Sequence, residues 1–273
     1  MTRSTNRKDH YLPQGYLRGF IDPTRRRHPR PLWHFEIPQN RWSERSPKEV
    51  AYRHGLYDYA NAPADAESAD AAFRELELSY PRIRERLIAR NFENWPAHRD
   101  LLLRFFQMMR ARSLLFLDRI HRAGKDLRTF VAEDISADRR SVKVESLTPS
   151  PPPETFVKNW AITMMRAEIQ KGPDWLNEVH WMLMRTRSSA DPFIIGETPT
   201  LATGPCATIE EAATHPETLF LFPLCWQACL IGSRQAFGVE THDPAPEELL
   251  KIRRVYRDSS SLFLVSPRRL DDL

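Results

Sequence analysis

The chain has 273 residues, enough for one large domain with a sizeable core. Apolar residues make up 41% and charged residues 28%, close to an ordinary globular protein, and 40 Lys and Arg against 36 Asp and Glu leave a formal charge of only +4. No stretch approaches the roughly 18 uncharged apolar residues of a membrane span, and three cysteines (Cys206, Cys225, Cys229) give neither a disulfide framework nor a paired metal spacing.

Nine glycines against 22 prolines imply few flexible loops and many stiff turns. With no signal sequence and so few thiols, the expectation is a cytoplasmic protein. The charge is uneven: residues 1–60 carry twelve basic and six acidic side chains, including the run Arg25-Arg26-Arg27-His28-Pro29-Arg30. Such a run either draws polyanions or is a solvated loop.

Residues 1–9 read as a loose polar end. A short helix is predicted over 12–20, closed by Asp22-Pro23, because the residue before proline avoids helical geometry. Leu32–Ile37 and Arg41–Ser43 flank the turn Pro38-Gln39-Asn40 and read as a β-hairpin. Val50–Tyr59 is aromatic-rich and is a strand or an ordered loop. From Ala66 the period changes: Phe73, Leu76, Tyr80, Ile83 and Leu87 mark an amphipathic helix to Phe92, with Pro81 as a kink. A second helix opens at Pro96 and closes at Gly124, about 27 residues and roughly 40 Å, the spine of the domain. Thr148–Pro153 is a stiff linker. A third long helix follows over Pro153–Lys171, with Phe156, Trp160, Thr163, Met164 and Ala167 as its inner face. The last third holds short apolar runs that read as strands: His180–Thr186, Phe193–Ile195, Leu219–Leu224, Ala228–Gly232 and Leu262–Ser266. One helix, Pro246–Arg257, interrupts them. Helices grouped in the middle and strands grouped late predict an α+β fold, a bundle of long helices on a small, mostly antiparallel sheet. The whole chain, 1–273, reads as a single domain in three parts: 10–60 (first helix and hairpin), 66–172 (helical) and 178–266 (mainly strands).

No Gly-rich phosphate loop, His-Glu-x-x-His, Gly-x-Ser-x-Gly or Cys/His zinc pattern is present. Four weaker constellations remain. His10, Gln14 and Arg18 fall four apart, so one helical face would carry all three. His is suited to general acid or base work, Gln to orienting water and Arg to holding phosphate. The bland alternative is a helix docked by Tyr16, Leu17 and Phe20, with His10 as its cap. On the central helix, Gln107, Arg110 and Arg112 sit among apolar neighbours, so a ligand or an internal glutamate such as Glu75 or Glu77 must answer the cations. Pro192–Pro199 runs an apolar strand into a turn that carries Glu197, either an aimed carboxylate or plain turn chemistry in solvent. Arg53–Asp58 is a strand-end site or a packed aromatic loop.

Five segments in order carry a family resemblance: His-x-x-Pro-Gln-x-Tyr-Leu-Arg-x-Phe from His10, Leu56-Tyr57-Asp58, Gln-x-x-Arg-x-Arg from Gln107, Pro192-Phe193-Ile194 with the following acid and proline, and Phe222-Pro223-Leu224. The sequence resembles the bacterial family catalogued as domain of unknown function 4238, over about residues 9–266. That family usually shows Ser-Asp-Asn-Pro after the Phe-Ile strand; here Gly196-Glu197-Thr198-Pro199 keeps the acid, lengthened, and loses the serine and asparagine. The resemblance implies a layout rather than an activity.

The expectation is one polar cleft built from these parts. In the enzyme reading, His10 and Glu197 are the catalytic pair, while Gln14, Arg18, Gln107, Arg110 and Arg112 hold a phosphate-bearing substrate such as RNA, with no metal and no cofactor. Two titratable groups beside arginines suit metal-free phosphoester cleavage. The alternative is a non-catalytic module whose basic N-terminal third binds nucleic acid or an acidic protein. Arg25–Arg30 would then grip phosphate and Trp33 and Trp42 would stack. No membrane partner is expected.

Overall fold

The computed structural model describes residues 8–22, 24, 31–60, 73–89, 92–126, 134–135, 142–143, 152–204 and 209–271. The run Arg25–Arg30, Cys206 and most of the Thr148–Pro153 linker lie outside them. In chain order come β1 (Lys8–His10), α1 (Gln14–Leu17), a 3-10 turn (Arg18–Phe20), β2 (Leu32–Glu36), β3 (Arg41–Arg45) and β4 (Tyr52–His54). The helical part follows: α2 (Arg74–Ala89), α3 (Trp95–Arg112), α4 (Leu114–Asp126), the short β5 (Asp134–Ile135) and β6 (Val142–Lys143), and α5 (Glu154–Lys171). The last third holds β7 (His180–Arg185), β8 (Ile195–Gly196), β9 (Leu201–Thr203), α6 (Ile209–Thr214), β10 (Leu219–Cys225), β11 (Ala228–Ser233), β12 (Thr241–His242), α7 (Pro246–Asp258) and β13 (Phe263–Ser266). This is an α+β fold. No described helix is long and apolar enough to cross a membrane.

The strands make two main sheets rather than one. A five-stranded sheet has the order β12-β7-β11-β10-β9, and a four-stranded sheet the order β3-β2-β13-β8. All pairs are antiparallel except β12 with β7. β10 explains why its sequence is almost continuously apolar. Phe220 and Phe222 point to the helices and join a core with Tyr80, Phe105 and Phe106, while Leu221 points the other way, toward Leu249, Ile252 and Tyr256 of α7. Both faces of the strand are covered, so alternation gives way to an apolar run.

The expected 27-residue spine is two helices. Ser113 leaves helical geometry at ψ 146°, and its hydroxyl donates to the Arg110 carbonyl while accepting the Phe116 N–H at 3.2 Å. One serine thus closes α3 and caps α4, and apolar spacing alone does not reveal such a joint. In α5 the inner face is Val157, Ala161, Ile162, Met165 and Ile169; the expected Phe156 and Met164 are exposed. This helix is apolar on several sides, so its periodicity did not pick one face. The polar end expected to be loose holds β1, which pairs with β4 in register Asp9 to Arg53 and His10 to Tyr52.

The first helix docks on the end of β10. The Tyr16 hydroxyl donates to the Pro223 carbonyl and the Tyr80 hydroxyl to the Leu224 carbonyl, each at 2.6 Å. Burial raises both phenol pKa values well above the ordinary range, so both stay donors. β9 pairs with β10 only as far as Leu221 and the β10–β11 register shifts between Pro223 and Cys225, so these carbonyls fall to tyrosines rather than to the ladder. Gly19 permits the close approach: a Cβ there would lie 3.0 Å from Cys225 Cβ and 3.2 Å from the Leu224 carbonyl.

Candidate functional site

β1, α1 and the start of α2 enclose a cavity of about 420 Å3. Its wall includes His10, Gln14, Arg18 and Arg112 from the expected set, joined by Lys8, Asp9, Arg74 and Glu77. The sequence expected His10, Gln14 and Arg18 on one helical face. They do meet, by a different route: His10 is on a strand, Gln14 opens α1 after Pro13, and Arg18 begins the 3-10 turn.

Arg112 ties this wall together. Its side chain is 1% exposed, its Nε donates to the Tyr57 hydroxyl at 3.1 Å, and its terminal nitrogens bond Glu77 and the His10 carbonyl. The guanidinium lies 4.3 Å from the Phe73 ring centroid. Burial works against its charge, but Tyr57 and Glu77 outweigh that and hold its pKa above the ordinary arginine value. Of the alternatives open for the central arginines, an internal pair to Glu77 is the one this residue takes.

His10 has the opposite balance. Burial, reinforced by the charges of Arg112 and Lys8, lowers its pKa below 6.5, so the ring is neutral at pH 7. Its Nε2 lies 3.4 Å from the Lys48 carbonyl, which can only accept. The neutral ring therefore carries its proton on Nε2 and keeps a lone pair on Nδ1. Its plane is tilted 49° to the Tyr52 ring.

Arg18 and Arg74 are exposed and their side chains make no hydrogen bond or ion pair among the described residues, and the Gln14 side-chain amide is likewise uncommitted. The wall carries four cations (Lys8, Arg18, Arg74, Arg112) against two carboxylates (Asp9, Glu77). Asp9 is buried and accepts the Tyr57 N–H at 3.1 Å. Pro81, within α2, has no N–H to give the Glu77 carbonyl, and both residues are in the wall.

Three expected site residues are elsewhere. Gln107 and Arg110 face α5, where the Gln107 amide donates to Glu168 at 2.6 Å and Arg110 pairs with the same carboxylate. The reason is helical geometry: Arg110 and Arg112 are two apart on one helix, hence about 200° apart around it, and cannot face one ligand. Glu197 is 6% exposed and is neither in the cavity wall nor in solvent. Its carboxylate accepts the Ser261 N–H at 2.6 Å, the Ser261 hydroxyl at 3.0 Å and the Leu262 N–H at 3.3 Å, holding the loop before β13. The expected convergence of the first helix, both central arginines and Glu197 on one cleft is therefore corrected to the first helix with Arg112 alone.

Lys8, Asp9 and Arg74 were missed. The only sequence signal for Arg74 is its place in the first turn of α2, which does not say what that turn faces. Among the described residues no group of three His, Cys, Asp or Glu side chains is placed to hold a metal ion. The Arg53–Asp58 segment is β4 followed by a turn, with Tyr57 fully buried beneath Arg112. Trp33 and Trp42 pack edge to face on each other at 6.4 Å, and Trp42 also packs on Phe35.

No curated protein and no solved structure matches the chain. One family model, described as protein of unknown function (DUF4238), matches residues 8–257, and the chain belongs to that family.

Proposed function

For this member of the DUF4238 family, we propose that the cavity beside the first helix binds a phosphate-bearing ligand, with RNA among the ligands it would take. Arg18 and Arg74 are the phosphate anchors, Gln14 a polar partner and His10 the one group suited to exchanging a proton with the ligand. The observation that carries this reading is the pair of uncommitted guanidinium groups at a cavity whose other arginine is spent on Glu77. Arginine without a partner, beside a neutral imidazole with a free Nδ1, suits an anion that arrives with its own proton to lose. Glu197 has no part in this version: its oxygens are occupied by backbone and hydroxyl donors. We place the protein in the cytoplasm, a reading supported by Cys225 and Cys229 being buried free thiols.

The test is titration with inorganic pyrophosphate and with a short single-stranded RNA at several salt concentrations. Arg18→Ala and Arg74→Ala should each weaken binding about tenfold and flatten its salt dependence. Arg110→Ala, outside the cavity, should leave both unchanged. Product release from RNA that His10→Gln abolishes makes the protein an enzyme; saturable binding without product makes it a binding protein. Affinity indifferent to Arg18 and Arg74 ends the reading.

A further inference from the structure

A second cavity, of about 560 Å3, opens where the start of α3, the start of β7 and the connection from β11 to β12 meet. It shares no wall residue with the first. Four aromatic side chains line it: Phe92, Trp95, Trp181 and Phe237. Phe92 stacks on Trp95 at 4.8 Å and 15°, and Trp95 is tilted 46° to Trp181 at 6.1 Å. Stacked rings meeting a tilted one make a corner rather than a flat wall. Phe92 reaches its place with φ 75°, a left-handed backbone that a bulky residue seldom adopts.

The wall also carries two charged side chains, Arg99 and Glu240, and the exposed imidazole of His180. Arg99 is already engaged: it donates to the Asn177 side-chain and backbone oxygens at 3.2 and 3.1 Å and lies 3.5 Å from Asp100. Glu240 is exposed, and its carboxylate meets no partner among the described residues. Arg99 is thus held in place by these contacts, while the Glu240 carboxylate is left to meet a ligand. Aromatic faces are themselves negative and attract cations that shed water cheaply.

We propose that this cavity binds a small quaternary ammonium compound. Methyl groups cover such a cation, so it can enter an aromatic corner without the desolvation cost of a bare ammonium. The aromatic corner would take the methyl groups and Glu240 the charge. The cavity, about 560 Å3, falls within the size range of small-molecule sites and admits a cation of this size with room to spare. The proposal is independent of the phosphate site, because the two cavities have no residue in common.

Calorimetric titration with choline tests it, against the neutral isostere 3,3-dimethyl-1-butanol. Choline should bind saturably and at least tenfold tighter than the isostere, and it should shift the indole N–H resonances of Trp95 and Trp181. Glu240→Gln should weaken choline several-fold and narrow its margin over the isostere. Trp95→Leu should abolish binding; if that variant does not fold, the exposed Glu240 carries the test alone. No saturable choline binding, equal affinity for the isostere, or indifference to Glu240→Gln overturns the proposal. So does a trimethyllysine peptide that binds tenfold tighter than choline, because the occupant would then be a protein side chain.

Discussion

Replacing Arg112 with methionine keeps most of the side chain's length and removes its charge and donors. The side chain is 1% exposed and bonds Tyr57, Glu77 and the backbone of His10, so one substitution strips three segments of a shared partner. Breaking a buried ion pair from one side costs about 3–5 kcal/mol when the remaining charge is stranded. Glu77 is 31% exposed, so its carboxylate reaches water and that part of the cost falls. The His10 carbonyl and the Tyr57 hydroxyl lose a donor, worth about 1–3 kcal/mol for a buried group left unpaired. The net expectation is about 2–4 kcal/mol, which in a chain of this size lowers Tm by roughly 5–15 °C. Thermal and urea unfolding of Arg112→Met, Glu77→Gln and the double variant would measure it. The double variant should cost at least about 1 kcal/mol less than the sum of the singles, because both remove one interaction. An Arg112→Met protein that melts within about 2 °C of the parent would refute the reasoning, as would strictly additive singles.

The remaining predictions probe separate parts of the molecule. The His10 ring should titrate below 6.5 when followed by its NMR ring-proton shifts, since burial, then the charges of Arg112 and Lys8, disfavour the imidazolium. A folded value below the unfolded one means protonation favours the unfolded chain. The stability His10 contributes is complete above 6.5 and fades as pH falls through the folded value, and His10→Gln should remove that part of the pH dependence. Glu197→Gln should destabilise by about 1.5–3 kcal/mol in urea unfolding, since it turns an amide toward donors that need an acceptor, and leave pyrophosphate affinity unchanged; lost affinity with intact stability would restore Glu197 to the site. Ser113→Ala should cost about 1 kcal/mol through the lost cap of α4, and no measurable loss would mean that packing alone sets the α3–α4 joint.

What the sequence disclosed follows from the range of the interactions involved. The β2–β3 hairpin, α2, α5, α7 and the apolar strands β7, β10, β11 and β13 were readable, because each has a local pattern with a period and a boundary. The α3–α4 break was not: it hangs on the Ser113 hydroxyl meeting backbone groups three residues away on either side. β1 was unreadable because a three-residue strand gains its identity from β4, more than forty positions on. At the site, the composition of the cavity wall was half legible. His10, Gln14 and Arg18 were found from a spacing whose helical premise was wrong, since a strand and a short helix turned a similar set inward. Arg112 was readable as a buried cation in need of an acid, and Glu77 was named as a candidate. Arg110 was misplaced because composition was weighed there without the 100° step of the helix.

Glu197 and Arg112 show how a buried charge should be read in such a chain. Each is almost fully enclosed, and each looked like a site residue, Arg112 because enclosure of charge is costly and Glu197 because a strand end aims its carboxylate. Their surroundings show that the cost is already met. Glu197 takes three or more donors from one loop, and Arg112 has an acid, a phenol and a carbonyl. A side chain satisfied in this way has little left to offer a ligand, and its work is to hold backbone in place. Arg18 and Arg74 differ in both respects: they are exposed, and no described partner restrains them. An unpaired surface guanidinium is ordinary, but two of them at a concave wall whose rear is locked by Arg112 combine free charge with fixed geometry. Preorganised backing with uncommitted charge in front is what selective anion binding requires. Removing Arg112 should therefore harm the fold before the ligand, and removing Arg18 or Arg74 the ligand before the fold.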